Sequence, residues 1–390
     1  MKWKNKGHEF DEVYKSMISK KQFYLFGAGD YGRQFLQAFQ TEIKIIGFID
    51  NDSNKQNTLI GGVKCFSFEN AKCNNDTGII ITMSQIARVN PIQQLEQAGL
   101  RKNIEYFIIE EFISIYNVYR FDKVYFSSIS FLPSTACNLN CRYCLNFNPF
   151  AKKSFSREIK ELKKDVDLFF QCIDHIMLFH VSGGEPLIYR YTADIIEYID
   201  KNYGNKIDTL RTVTNGTIVP TDDVLEKLSK CNVEITVDDY RDAVPKYKDN
   251  FEILINRLNN YQIKYYINKV DSWIDLAPEK TDYSMYSEDE MIYHRDNCSQ
   301  SWQELRDGKL YSCNYAAYAT VAGIAGEEDS EEVYDLKLFT SNKKKELIDF
   351  RLGYMNKGYT NFCRKCRGFV PQNIEEKKPA IQIGGNDIVF

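Results

Sequence analysis

Residues 137–144 read Cys-Asn-Leu-Asn-Cys-Arg-Tyr-Cys and hold three of the eleven cysteines of this 390-residue chain. Three thiolates spaced three and two residues apart can hold three irons of a cubane cluster and leave the fourth iron open to a ligand, whereas a closed four-cysteine site mainly relays electrons. The alternatives are part of a zinc site or three thiols with no partner. Zinc needs a fourth ligand, and the nearest histidines, His175 and His180, lack finger-like spacing from Cys144.

A second motif follows about forty residues later, in the stretch Val-Ser-Gly-Gly-Glu-Pro-Leu at 181–187. Gly183, Gly184, Glu185 and Pro186 end an apolar run over 176–181 that predicts a strand. Two glycines allow a backbone to approach a ligand closely. The carboxylate of Glu185 could accept hydrogen bonds from an ammonium group.

Together the two motifs resemble the signature of the radical S-adenosylmethionine (SAM) superfamily, which is Cys-x3-Cys-x-aromatic-Cys followed after the second strand by Gly-Gly-Glu-Pro. The resemblance implies a [4Fe-4S] cluster whose open iron binds the methionine amine and carboxylate of SAM. It also implies a 5'-deoxyadenosyl radical that removes hydrogen from an unactivated carbon. The implied cluster ligands are Cys137, Cys141 and Cys144, and the implied SAM contacts are Tyr143 at the aromatic position, Gly183, Gly184 and Glu185.

Length and composition indicate an enzyme of two or three domains, because 390 residues exceed what one hydrophobic core usually covers. The formal charge of −4, without a basic stripe, argues against a nucleic-acid partner. The sequence shows no secretion signal and no apolar run long enough for a bilayer, so we expect a cytoplasmic protein with no membrane partner. Reducing conditions there favour metal binding or catalysis over disulfides.

The first 120 residues predict a Rossmann-like domain. A strand over 22–26 runs into a Gly-x-Gly-x-x-Gly turn at Gly27, Gly29 and Gly32, a helix over 30–39 follows, and a strand over 43–49 ends at Asp50. That acid stands where dinucleotide folds bind a ribose. Further strands at 78–82 and 104–109 and a helical segment near 85–99 complete a small α/β unit.

The ligand of this domain stays open between a nucleotide or nucleotide sugar, NAD, and a docking role with no ligand. The stretch Gly-Phe-Ile-Asp-Asn-Asp at 47–52 resembles an element of the small nucleotide-binding domain found on bacterial enzymes that modify surface sugars. The residues assigned to a nucleotide are Gly27, Gly29, Gly32 and Asp50.

Residues 121–290 alternate strand and helix, which predicts a partial (β/α)6 barrel of the TIM type. Five strands are predicted at 125–132, 176–181, 209–213, 233–237 and 264–268. Ligands of barrels gather at the carboxyl ends of the strands, so the residues there are candidate contacts of SAM or substrate, each equally a turn former. They are Asn215 and Asp238, both assigned to SAM, and Asp239, Tyr240 and Lys269.

Residues 291–390 contain a second cysteine group, Cys298, Cys313, Cys363 and Cys366. Asp307-Gly308 predicts a hairpin that brings the first two together. Four thiolates suit a zinc ribbon or a closed iron–sulfur cluster. The pattern Cys-x9-Gly-x4-Cys, a gap and Cys-x2-Cys resembles the twitch domain, the shortened SPASM extension of radical SAM enzymes, which implies a β-hairpin plus helix and one auxiliary [4Fe-4S] cluster. No cysteine follows Cys366, as the full SPASM pattern would need.

The remaining cysteines, Cys65, Cys73, Cys172 and Cys231, are assigned no chemistry, since buried packing is the usual role of a free thiol. His180, just before the Gly-Gly-Glu-Pro motif, could lie near the cofactor.

The first functional hypothesis is a radical SAM dehydrogenase or epimerase that acts on a sugar carbon, on a nucleotide-linked or other sugar of surface polysaccharide synthesis. It expects a small-molecule sugar substrate and an electron donor of the flavodoxin or ferredoxin type. Maturation of a ribosomal peptide is the second hypothesis, although peptide enzymes commonly carry a winged-helix segment in place of a glycine fingerprint. The third is a non-catalytic iron–sulfur redox or nucleotide sensor.

Overall fold

The computed structural model describes residues 1–84, 87–300, 302–326, 331–370, 372–373 and 375–384. The chain divides into two compact units, Asn5–Lys123 and Val124–Phe390, and Met1–Lys4 join the second. Each unit is built on a mainly parallel sheet with helices between the strands, which confirms the α/β class. No helix in the described part of the chain is long and apolar enough to cross a bilayer.

The first unit contains a six-stranded sheet in the order β3-β4-β2-β1-β5-β6, parallel except for the β3–β4 pair. Its elements are α1 (Asp11–Ser19), β1 (Gln22–Phe26), α2 (Asp30–Phe39), β2 (Ile45–Ile49), β3 (Leu59–Ile60), β4 (Val63–Phe66), β5 (Thr77–Ile81), α3 (Val89–Gln97), β6 (Tyr106–Ile108) and α4 (Ile109–Phe121). Helix α3 covers part of the segment predicted at 85–99, of which residues 85 and 86 lie outside the described residues. Strand neighbours change side between β1 and β5, the point where open α/β sheets bind ligands.

The glycine turn follows β1, and two of its three glycines are required by packing. Gly27 has a φ of +116°, a conformation that side chains with a Cβ rarely adopt. A Cβ on Gly32 would lie 2.1 Å from the carbonyl oxygen of Gly27 and 2.9 Å from the ring of Phe48. A Cβ on Gly29 would meet nothing within 4 Å. Gly29 is therefore the position where the turn faces open space.

Asp50, expected to bind a ribose, is engaged by its own chain. Its Oδ2 accepts hydrogen bonds from Ala28 N at 2.9 Å and from Lys55 Nζ at 3.1 Å, and its Oδ1 accepts one from Asp52 N at 2.9 Å. Burial acts to raise its pKa, but these donors outweigh burial and hold the pKa of Asp50 below its usual value. The carboxylate ties the glycine turn to the end of β2.

The second unit contains an eight-stranded sheet in the order β11-β10-β9-β8-β7-β13-β14-β15. Its strands are β7 (Tyr125–Phe131), β8 (His175–Val181), β9 (Ile207–Thr214), β10 (Val233–Asp238), β11 (Lys264–Asn268), β12 (Trp273–Ile274), β13 (Glu304–Arg306), β14 (Lys309–Tyr311), β15 (Val333–Asp335) and β16 (Glu376–Lys377). Its helices are α5 (Ile159–Cys172), α6 (Thr192–Tyr203), α7 (Asp222–Leu228), α8 (Lys248–Asn260), α9 (Glu288–Asp296), α10 (Asn314–Ala322) and α11 (Lys344–Arg351).

Five parallel strands, β7 to β11, lie where the sequence predicts them. The sixth parallel strand is not where a simple (β/α)6 barrel would place it. Strand β12 is two residues long and pairs with β16 instead of extending the sheet beyond β11. Strand β13 pairs parallel with β7 at the opposite edge. The predicted hairpin turns at Asp307 and Gly308, both with positive φ, as a two-residue turn of type I′ requires. The segment after residue 290 thus shares the barrel sheet, and the domain boundary placed there stays a prediction.

We predict that Gly32→Ala destabilises the first unit because its Cβ cannot fit against Gly27 O. Overpacking of this kind costs about 1–3 kcal/mol. Hydrogen exchange of the full-length protein, followed by mass spectrometry, should show faster exchange in peptides from residues 22–49. Gly29→Ala is the matched control and should exchange like the parent. Equal exchange in all three proteins would contradict this reading of the turn.

Candidate active site

The three-cysteine segment forms a loop between β7 and α5 that the carboxyl-terminal residues hold in place. Arg142 N donates to Ile381 O at 2.8 Å, and Ile383 N donates to Asn140 O at 2.8 Å. Gln382 adds its side chain, because its Oε1 accepts from Asn140 N at 2.8 Å. The segment 381–383 therefore lies alongside the loop like a short strand, a contact that the spacing of the cysteines gave no means to predict.

Cys137, Cys141 and Cys144 line one cavity of about 350 Å³ at the carboxyl edge of the barrel sheet. Leu139 N donates to Cys137 Sγ at 3.4 Å, and Gln382 Nε2 donates to Cys141 Sγ at 3.2 Å. Burial raises the pKa of Cys137 to about 11 and that of Cys141 to about 12. Thiols in such surroundings become thiolates when a metal binds them, and N–H···S donors stabilise the charge. The donor set fits a cluster held at three corners.

The Gly-Gly-Glu turn after β8 is joined to the chain that leads into Cys137. Gly184 N donates to Ser134 O at 3.0 Å, and Glu185 N donates to Ala136 O at 2.7 Å. A Cβ on Gly184 would lie 2.3 Å from Thr135 O and 2.5 Å from Ala136 O. Glycine is required here because two backbone segments approach too closely for any side chain. Gly183 and Gly184 both line the cavity, as a role in binding the cofactor needs.

Glu185 differs from the expectation that its carboxylate faces a ligand amine. Its side chain is buried and does not line the cavity. Oε1 accepts from Leu187 N at 2.9 Å and from Thr214 Oγ1 at 2.8 Å, and Oε2 accepts from Asn215 N at 2.7 Å. Burial raises the pKa of Glu185 to about 7, against the effect of these donors. Glu185 therefore joins the ends of β8 and β9 and positions the glycine turn.

The other residues predicted at the strand ends divide into two groups. Asn215, Asp238 and Tyr240 line the same cavity as the three cysteines. Asp238 accepts hydrogen bonds from Asn268 Nδ2 at 2.7 Å and from Tyr240 OH at 2.9 Å, and burial raises its pKa. Asp239 and Lys269 line a neighbouring cavity instead, which Tyr240 also borders.

Tyr143, predicted to contact the cofactor, is not among the residues that line the cavity. The ammonium of Lys377 lies 5.4 Å from the centre of its ring. The side chain at this aromatic position thus contacts a residue of β16.

Several residues that line the cavity were not predicted from the sequence; His180, which also lines it, was. Arg211 lies on β9, and Trp302, Asn314, Tyr315 and Tyr318 come from the chain on either side of the β13–β14 hairpin. The rings of His180 and Trp302 meet edge to face at 5.7 Å. Arg211 could have been found in the sequence, because it is a charged residue within a segment that otherwise reads as a strand. The aromatic residues could not, because they line the cavity only as a result of the pairing of β13 with β7.

A buried polar network supports this part of the cavity. Tyr318 OH lies 2.5 Å from Ser130 Oγ and 3.0 Å from Ser182 Oγ, so it joins β7 to the end of β8. Glu304 on β13 is fully buried, and its Oε1 accepts from Leu132 N at 2.7 Å. Burial raises the pKa of Glu304 to about 7.

The second cysteine group forms a small cavity of its own, lined by Cys298, Cys313, Cys363 and Cys366 together with Arg295. Donors point at its sulfur atoms: Phe369 N reaches Cys298 Sγ at 3.3 Å, and Gly368 N reaches Cys366 Sγ at 3.3 Å. Four sulfurs, two N–H···S bonds and a nearby cation suit a closed site of high negative charge. Nowhere in the described ranges do three His, Cys, Asp or Glu side chains converge on a point fit for a single metal ion.

Among the described residues, Tyr315 lines both cysteine-lined cavities. Its ring stacks on Phe369 with centroids 5.5 Å apart. Gln300, which lines the smaller cavity, donates through Nε2 to Oδ1 of Asn314, which lines the larger, at 2.7 Å. The Tyr315 ring and the Gln300–Asn314 amide pair therefore lie where the linings of the two cavities meet.

A three-cysteine loop and a glycine turn at the carboxyl edge of a parallel sheet define a site of the radical SAM class. Residues 131–270 match the Radical SAM superfamily. The match supports a radical SAM domain over these residues, and that superfamily implies SAM and one [4Fe-4S] cluster. The assignment to the twitch subgroup, the second cluster and the nucleotide-binding role of the first unit stay predictions.

Curated relatives match only part of the chain. An uncharacterized protein of Methanocaldococcus jannaschii is 26% identical over 136 residues, which cover 33% of this chain and 46% of that protein. GTP 3',8-cyclase 3 of Mycobacterium tuberculosis is 30% identical over 135 residues, 33% of each chain. The chain thus spans less than half the length of either relative. Among solved structures, anSMEcpe with bound AdoMet and Kp18Cys peptide has a TM-score of 0.39 at 16% identity, covering 61% of this chain and 90% of its own.

We predict that Gly184→Ala prevents assembly of the three-cysteine site, because the new Cβ would displace the backbone at residues 135–136 next to Cys137. After anaerobic reconstitution with iron and sulfide, iron bound at this site should fall by more than half. Gly183→Ala is the control, since its nearest contact would be 3.2 Å from Ser134 O, a distance that a small shift relieves. Full iron content in Gly184→Ala would show that the close approach is not needed.

We also predict a pH-dependent contribution of Glu304 to stability. Its pKa is about 7 in the folded protein against 4.5 for an unburied carboxyl, so the folded state binds the extra proton between these values. The stabilisation is complete below pH 4.5 and is lost as the pH rises through 7, with a total on the order of 3 kcal/mol. The unfolding midpoint should decline less steeply from pH 5 to 8 in Glu304→Gln than in the parent. Parallel curves would refute the assignment.

Proposed function

We propose that the protein oxidises an alcohol carbon of a carbohydrate to a ketone by radical SAM chemistry, and that the second cysteine site carries an auxiliary [4Fe-4S] cluster. The single observation that supports this reaction is that Tyr315 lines both cysteine-lined cavities. When bound, the first cluster and SAM supply a 5'-deoxyadenosyl radical. The residues of the chain then have to bind the substrate, accept a proton and provide a path for an electron.

Oxidation of an alcohol to a ketone requires acceptors for a hydrogen atom, a proton and an electron. The carbon loses a hydrogen atom to the deoxyadenosyl group, the hydroxyl loses a proton, and one electron leaves the substrate for an acceptor. An oxidised auxiliary cluster held by Cys298, Cys313, Cys363 and Cys366 would supply that acceptor. Asp238 lines the cavity with a carboxylate whose pKa is raised, so we assign it the proton. The electron would cross Tyr315, which lines both cavities.

Epimerisation, the other reaction considered for this site, needs a donor that returns a hydrogen atom. A cysteine thiol is the side chain best suited to that role. Among the described residues that line the large cavity, the cysteines are Cys137, Cys141 and Cys144, all assigned to the cluster. Tyr318 OH is engaged with Ser130 and Ser182. The cavity therefore supports oxidation better than epimerisation.

The carbohydrate part of the proposal is supported by the first unit. Its open glycine position at Gly29 and the likeness of residues 47–52 to an element of sugar-modifying enzymes favour a nucleotide or nucleotide sugar as ligand. We place the protein in the cytoplasm, with a flavodoxin- or ferredoxin-type protein as electron donor.

The test is anaerobic turnover of reconstituted protein with SAM, dithionite and a panel of sugars, sugar phosphates and nucleotide sugars. We expect 5'-deoxyadenosine and a keto sugar in equal amounts with one member of the panel. Deuterium at the oxidised carbon should appear in 5'-deoxyadenosine.

Two variants separate the sites. The Cys141→Ser variant should lose release of 5'-deoxyadenosine, whereas Cys363→Ser should still abstract hydrogen but form little ketone. Suppose that one sugar of the panel triggers 5'-deoxyadenosine release. If Cys363→Ser then forms as much ketone as the parent, the role of the second site is refuted. No substrate-dependent release with any member would refute the carbohydrate substrate.

A further inference from the structure

Arg211 lies on β9 and lines the cavity that contains the three cysteines of the loop. It pairs in register with His180 of β8 on one side and with Glu234 of β10 on the other. Arg211 precedes Thr214, the residue that bonds Glu185, by three residues. At about 3.3 Å per residue, its backbone lies about 10 Å from that end of β9, towards the amino end of the strand. Its side chain lines the cavity that the three cysteines border. A charged side chain thus lies in the wall away from the cysteine loop.

Arg211 forms no ion pair with a carboxylate in the described part of the chain, although the charge of Asp238 is near enough to interact with it. It is the one permanently cationic side chain among the described residues that line the cavity. Glu234, its neighbour in register, bonds Lys264 at 2.8 Å. Asp238 accepts its hydrogen bonds from Tyr240 and Asn268. In the described part of the chain, no carboxylate lies within 4.0 Å of the Arg211 guanidinium.

A guanidinium in a half-buried cavity without a hydrogen-bonded ion pair costs free energy, which a bound anion recovers. Its planar fork of N–H donors matches carboxylate and phosphate oxygens in a two-bond geometry. An isolated hydroxyl of a neutral sugar does not use that geometry. The residue type and its surroundings therefore favour an anionic ligand.

His180 adds a second polar atom at the same level. Its Nδ1 is buried and has no hydrogen-bond partner among the described residues. Burial and the nearby charge of Arg211 lower the pKa of His180 to about 3, so the ring is neutral and one of its two nitrogens carries an N–H. The ring lies against Trp302 with centroids 5.7 Å apart. Arg211 and His180 together present polar atoms from two adjacent strands to one region of the cavity.

We propose that the substrate carries an anionic group, a carboxylate or a phosphate, that binds to Arg211 and His180. The inference deepens the proposed function and rests on it for the identity of the cavity as the substrate site. It selects sugar phosphates, nucleotide sugars and sugar acids over neutral sugars. The methionine carboxylate of SAM has the same chemistry, and the test has an arm for it.

The experiment is calorimetric binding, without turnover, to the reconstituted protein with SAM bound. The probes are inorganic phosphate, glucose 1-phosphate, glucuronate and glucose. We expect at least one anionic sugar to bind about tenfold or more tightly than glucose, as a charged hydrogen-bonded pair implies. Arg211→Met should remove this preference, and Arg211→Lys should restore part of it. Iron content and circular dichroism equal to the parent establish that the variants are folded.

The arms separate the possible failures. If Arg211→Met weakens SAM binding about tenfold and leaves the sugars unchanged, the anion is the cofactor carboxylate and the proposal is wrong. Equal binding of glucose and the anionic sugars to the parent, or no binding of any anion, also overturns it. If the anion preference is present but no sugar is oxidised in turnover, the inference stands and the proposed reaction fails.

Discussion

The backbone contact between the glycine turn and the segment before Cys137 is the constraint on which the rest of the site depends. Two hydrogen bonds, from Gly184 N and Glu185 N, join the end of β8 to the chain leaving β7. They form because Gly184 carries no Cβ, for which the approaching backbone leaves no space. The cysteine loop begins directly after this contact. The position of its thiols is thus fixed by a sheet edge and not by the loop alone.

Glu185 extends this constraint to the next strand. Its buried carboxylate accepts from the Leu187 amide on its own turn and from Thr214 and Asn215 at the end of β9. Asn215 in turn donates to Asn138 Oδ1 at 3.1 Å, one residue after Cys137. Three strand ends and the cysteine loop are therefore connected by hydrogen bonds. An acidic residue that reads as a ligand in sequence acts in the structure as a connector.

Local patterns predicted the five barrel strands, the helix over 30–39 and the hairpin at Asp307-Gly308, because each depends on side chains within a few residues. The cysteine spacing likewise predicted that three thiols share a loop. Long-range pairing was not readable: β13 joins β7 across more than 170 residues, and Gln382 reaches Cys141 from the carboxyl-terminal segment. Trp302, Tyr315 and Tyr318 enter the cavity only through that pairing. The direction of the Glu185 side chain was missed for a similar reason, since its donors lie on another strand.

Helix α10 connects the two cavities through its first turn. Cys313 caps the helix and faces the small cavity, Asn314 faces the large one, and Tyr315 borders both. Successive helical residues point about 100° apart, so three neighbours in sequence can face different chambers. Because Cys313 and Tyr315 are two residues apart in the chain, a shift of α10 would move the Cys313 thiol and the Tyr315 ring together. Because the β13–β14 hairpin that precedes α10 is part of the barrel sheet, the distance between the chambers is set by the same sheet that positions the three-cysteine loop.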